Sequence, residues 1–213
     1  MPVYLHHYAE FACLLTAVIC WWRTRLFIPG IFIPFLALTL AAELYATYLA
    51  HVRHLPNQGL YKILTTAAFV FYMLVLSRFI ENKKIKSAAT LASLIIVFVV
   101  GLQNLFLPVN KFHREAYVFS SVLLIFYCFV YLYESLNKYD IDFRIEKRPA
   151  FWIVAGVLTF YLSGAAFIVF INSMPPGVRE NFSLVMRWLS LVMYTSFIIA
   201  FILCQRDKEK YSI

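Results

Sequence analysis

A handful of ionisable and amide side chains stand out because they interrupt long apolar runs: Glu10, Glu43, Gln103, Asn104 and Arg187. An unpaired charge among apolar residues is costly, so such groups pair across helices or meet the polar part of a ligand. Both readings are open for Glu10 or Glu43 with Arg187. The histidines form a second set. His6, His7, His51, His54 and His113 all fall near the ends of the same runs. His6, His51 and His54, joined by Glu10 or Glu43, supply the donor types that hold zinc. A boundary histidine is also simply an inexpensive polar residue, and the spacing matches no HExxH pattern. Nucleophilic catalysis has less behind it. Ser120 and Ser121 follow His113 by about two helical turns, serines are common where membrane helices meet, and the chain contains no Gly-rich phosphate loop.

The elements that carry these residues follow from composition. Of the 213 residues 62% are hydrophobic and 14% charged, and the mean hydropathy is +0.76. Globular chains are about 45–50% apolar and 25% charged, so this chain lacks the polar residues to cover a water-facing surface. A soluble enzyme, a nucleic-acid-binding domain and a disordered regulator are thereby excluded as readings. A helix needs about 20 apolar residues to cross a bilayer. Seven segments meet that length: 3–22, 31–50, 59–80, 87–108, 115–136, 150–172 and 182–204. Many are rich in Val, Ile and Phe, but in lipid each segment must satisfy its own backbone, which selects helix. The expected architecture is therefore all-α: one seven-helix transmembrane bundle spanning 1–213, its linkers too short for another domain.

The net charge of +8 reads as a topology signal. Most of the 19 Lys and Arg residues follow segments one, three, five and seven. The opposite ends carry only Arg53, Lys62, Lys111, Arg114, Arg179 and Arg187. The positive-inside rule then places the N-terminus outside and the tail in the cytoplasm, so no nucleic-acid partner is needed to explain the charge. The first segment lacks a positive n-region and is followed by Arg23 and Arg25, as in a retained reverse anchor. Cys13, Cys20, Cys128 and Cys204 lie in or at the ends of apolar segments, and no CxxC occurs, which argues against a disulfide framework or a zinc–thiolate site.

Depth then sorts the polar residues. At 1.5 Å per residue, Glu10 and Glu43 sit about 10 Å below the outer boundary, and Arg187, Gln103 and Asn104 lie at similar depth. His6 stands one turn from Glu10, and His51 and His54 two to three turns above Glu43. The inner halves carry only scattered hydroxyls and phenols, among them Thr39, Tyr72, Ser93, Tyr127, Tyr131 and Thr159. This predicts a polar cavity open to the outside and closed below by an apolar plug. Trp21, Trp22, Tyr61 and Trp152, near segment ends, read as an interfacial aromatic belt. HYAEFACLLT of segment one and HREAYVFSSV of segment five are alike, and Lys62 and Arg187 fall in similar places in segments three and seven. That pattern suggests three helices, a linker helix and three more.

LYKILTTAAFVFYMLVLSRFIENKKIK, VYLYESL and RPAFWIVAGVLTFYLSGAAFIVF, with LAAELYATYL of segment two, resemble a family of small seven-helix inner-membrane proteins abundant in Bacteroidota-type bacteria. The resemblance implies a bacterial inner-membrane location and the bare membrane-sensor half of a signalling pair. It also leads one to expect a glutamate or asparagine near positions 65–68, where this chain has Thr65, Thr66, Ala67 and Ala68. Three readings follow. The first is a non-enzymatic sensor or accessory protein that binds a small extracytoplasmic ligand or partner helix around Glu10, Glu43, Gln103, Asn104 and Arg187, and signals through a separate partner protein. The second is an intramembrane zinc-dependent hydrolase using the outer histidines. The third is a small-solute transporter.

Overall fold

The computed structural model of the protein describes residues 5–106, 114–138, 144–170 and 182–206. Seven α-helices and one short 3₁₀ turn account for nearly all of them, and no strand occurs among the described residues. The helices are α1 (Leu5–Thr24), α2 (Phe27–His51), α3 (Gln58–Phe79), α4 (Lys83–Phe106), α5 (Arg114–Lys138), α6 (Pro149–Phe170) and α7 (Phe182–Arg206), with the 3₁₀ turn at Ile145–Lys147. Of these, α2, α3, α5, α6 and α7 are long and apolar enough to cross a membrane.

Exposure runs inside out relative to a water-soluble bundle. On α1 the buried face is His7, Glu10, Cys13, Ala17 and Cys20. Its exposed face is Leu5, Tyr8, Phe11, Leu15, Val18, Ile19 and Trp22. Both faces follow the three-to-four-residue helical repeat, but the large apolar side chains point outward and the ionisable ones inward. Such an outer surface is stable only against another apolar medium.

Two departures at helix ends have local causes. α2 begins at Phe27 rather than 31, because Pro29 lies in its first turn, where a missing N–H costs nothing. Pro34, inside α2, cannot donate to the Gly30 carbonyl four residues back. At Gly30 itself a Cβ would lie 2.8 Å from the Trp21 ring, so the two-residue link between α1 and α2 depends on that glycine. The Arg25 guanidinium, 4.5 Å from the Trp21 ring centre, closes the same corner.

Packing order defines the architecture. α6 and α7 make the most extensive contact, followed by α1 with α7, α5 with α6 and α1 with α2; α3 meets α5 and, more thinly, α2. These six helices close a ring in the order α1, α2, α3, α5, α6, α7. α4 packs on the outside of that ring, chiefly against α3. Gly156 permits the close α6–α7 approach: a Cβ there would stand 3.0 Å from Ser196 Cβ and 3.2 Å from the Met193 carbonyl. Small residues at such crossings let membrane helices gain dispersion contact where no hydrophobic drive is available. The core at the end of the bundle nearer Leu26 and Ile80 is aromatic. Phe35 stacks on Phe71 at 3.9 Å, and Phe32 meets Phe71, Phe197 and Phe201 edge-on at 5.0–5.3 Å.

Candidate functional site

At the other end the ring does not fill. A cavity of about 580 Å³ lies between α2, α3, α6 and α7, touched also by the starts of α1 and α5. The thin α2–α3 contact leaves the space, and that seam is tied by polar bonds near its rim. Asn57 donates to the Ala46 carbonyl at 3.3 Å, and the Tyr61 hydroxyl donates to Glu43 Oε2 at 2.8 Å. One helical face of α2 supplies a column from floor to rim: Phe35, Thr39, Glu43, Thr47 and His51, each four residues after the last. Arg187, Ser190 and Tyr194 form the facing column on α7, and Tyr61, Thr65, Ala68 and Tyr72 the one on α3.

The polar groups gather at the rim. Glu43 and Arg187 both line the cavity, and the Arg187 guanidinium acts electrostatically on Glu43, Tyr61, His6 and His7. Glu10 stands just behind the wall, fully buried. Its Oε1 accepts from the Tyr194 hydroxyl at 3.0 Å, while its Oε2 is buried without a hydrogen-bond partner. Glu10 and Glu43 also feel each other's charge, so they belong to one neighbourhood. Deeper, the lining turns aromatic and apolar: Phe35, Tyr72, Tyr117, Phe160, Tyr161 and Met193. Gly164 admits the Tyr117 hydroxyl, which would lie 2.6 Å from a Cβ at that position. Below Phe35 and Tyr72 the Phe32 cluster closes the floor.

Of the residues singled out from sequence, Glu43 and Arg187 share the cavity and Glu10 adjoins it. The side chains of Gln103 and Asn104 lie outside the described residues; their helix, α4, packs outside the ring. His6 and His51 line the cavity. His54 is exposed, in the turn after α2, with φ +52°. His113 lies outside the described residues, and the Ser121 hydroxyl donates to its own helix at the Tyr117 carbonyl. All four cysteines are buried, and no disulfide joins them among the described residues.

Tyr61 corrects an expectation: it is half-buried and bound to Glu43, where its position near a helix end had suggested an interfacial belt. Tyr194, the partner of Glu10, had no signal in sequence beyond being a tyrosine one helical turn from Ser190. His7, named among the boundary histidines but left out of the zinc set, is also buried: its i, i+3 relation to Glu10 puts both on the buried face of α1. One nitrogen each from His6 and His7 and a carboxylate oxygen of Glu43 lie within 4.8 Å of one another, the one group of described residues with metal-ligand geometry. Compared with known proteins, the chain matches no family model, no curated protein and no solved structure.

Proposed function

We propose that the chain is a seven-helix inner-membrane protein, N-terminus outside, that binds a small ligand from the extracytoplasmic side and signals through a separate partner protein. The observation that carries this reading is the cavity's polarity: Glu43, Arg187 and Tyr61 at one end, a closed aromatic floor at the other. Its volume is that of a small-molecule pocket, and pockets of this kind are mostly apolar with a few orienting polar groups. The matching ligand has an apolar or aromatic body of modest size and a polar head that meets the carboxylate and guanidinium at the rim. On this reading the response passes by helix shifts to the basic loops at the opposite face, where a separate partner protein docks.

The test is access. In a cysteine-free variant, Thr47→Cys on the cavity wall should react with a membrane-impermeant maleimide in intact spheroplasts. Glu81→Cys, at the opposite end of the bundle, should react only after lysis. Reversal of the two patterns would refute the orientation, and protection of Thr47→Cys from both sides would refute an open cavity.

Transport is the second reading, favoured by the ring itself: α1–α3 and α5–α7 form two triplets around the cavity with α4 outside. Labelling of Tyr72→Cys, at the floor, from the cytoplasmic side of inverted vesicles would move transport to first place.

A further inference from the structure

Two consecutive residues on a helix point about 100° apart, so neighbouring histidines do not ordinarily meet at one point. His6 and His7 do: their ring centres are 4.0 Å apart, with the planes tilted by 41°. His7 is 3% exposed although it lies in the first turn of α1, and His6 Nδ1 and His7 Nε2 are both shielded from solvent. Across the gap, Glu43 on α2 brings a carboxylate oxygen within 4.8 Å of an imidazole nitrogen from each. The hydrogen bond from Tyr61 at 2.8 Å orients that carboxylate, as metal-binding carboxylates are usually oriented by an outer contact.

We propose that His6, His7 and Glu43 form a site for one divalent transition-metal ion, of which zinc is the best match, at the rim of the cavity. The inference goes beyond the ligand-binding reading and does not depend on it. Two imidazoles and one carboxylate are a zinc donor set that leaves a fourth position open, and here that position faces the cavity, because His6 and Glu43 line it. Zinc bonds of about 2.0–2.2 Å put tetrahedral ligand atoms about 3.3 Å apart. The three donors, within 4.8 Å of one another, therefore have to close by at most about 1.5 Å, a distance that side-chain torsions on two adjoining helices can supply. Arg187, which acts on all three groups, repels a bare cation. It also favours an anionic or carbonyl-bearing group in the open position, so the metal and the guanidinium together select a ligand with an anionic head. The set differs from the His6, His51 and His54 combination suggested by sequence, because His54 is exposed in the turn after α2.

The experiment titrates untagged, detergent-purified full-length protein, stripped with chelator, with Co²⁺ followed by its visible d–d absorption and with Zn²⁺ by calorimetry. The expected result is one ion per chain, with the intense bands of a four-coordinate site. His6→Ala/His7→Ala and Glu43→Gln should each weaken binding more than about tenfold, whereas His51→Ala/His54→Ala should leave it unchanged. Tyr61→Phe keeps every ligand and loses only the orienting bond, so it should weaken binding by about tenfold even if the ligand variants fail to fold. Arg187→Gln should tighten it. No saturable binding would overturn the proposal, as would binding that survives the His6/His7 and Tyr61 changes but is lost with His51 and His54.

Discussion

The two ends of the six-helix ring are built from the same helices and solve packing in opposite ways. At the cavity end, α2 and α3 part and are held by two hydrogen bonds at the rim, Tyr61 to Glu43 and Asn57 to the Ala46 carbonyl. At the closed end they meet through stacked rings, Phe35 on Phe71, with Phe32 wedged among Phe71, Phe197 and Phe201. Hydrogen bonds between membrane helices contribute little each, about 0.6 kcal/mol on average. Dense apolar packing sums many small dispersion terms. The contrast teaches that the closed end carries the stability and the cavity end is free to carry specificity.

Three substitutions would break or sharpen that contrast. The largest effect belongs to Phe32→Ala: it removes a fully buried ring from the floor and should cost about 3–5 kcal/mol, seen as a lower midpoint of thermal unfolding in detergent. If the midpoint scarcely moves, the floor is not the stable half. Gly156→Val comes next. Its side chain meets the Met193 carbonyl and the Ser196 Cβ, which belong to a helix backbone and a short side chain that cannot swing away, and overpacking of this kind costs about 1–3 kcal/mol. The same unfolding assay reads it, with loss of a monodisperse peak as the extreme outcome. The smallest change is expected from Tyr194→Phe at the cavity end. Losing the bond to Glu10 should cost about 0.6 kcal/mol and at most about 1.7. A shift as large as that of Phe32→Ala would show that the polar end is structural after all.

Much of this division was legible in the order of residues. The depths of Glu10, Glu43 and Arg187 along their segments already grouped them at one end, because depth depends only on the rise per residue. The apolar closure below followed from the same counting. Rotation about each helix axis was not legible: in segments where almost every position is apolar, periodicity carries little signal. That is why Tyr61 read as belt, why His7 was left out of a zinc set that held His6, and why Glu10 and Glu43 could be placed at one level without being placed on one wall. Helix starts moved for a related reason. Pro29 and Gly30 look like a break before 31, yet proline is well tolerated in a first turn, and α2 starts at Phe27.

α4, the helix outside the ring, has a consequence for direction. The cavity is met by the starts of α1, α3, α5 and α7 and by the ends of α2 and α6: His6, Tyr61, Tyr117 and Arg187 on the one hand, His51 and Ile168 on the other. A triplet of helices begins on one side and ends on the other, so two triplets joined directly would run in opposite senses. One additional helix restores parity, and the second triplet starts where the first did. Both triplets then turn the same ends toward one end of the bundle, and their polar residues accumulate at one mouth. Without that extra reversal, the same two sets of side chains would be divided between opposite faces of the bundle. α4 lends none of the cavity's named lining residues, yet its single run along the bundle decides that there is one mouth and not two.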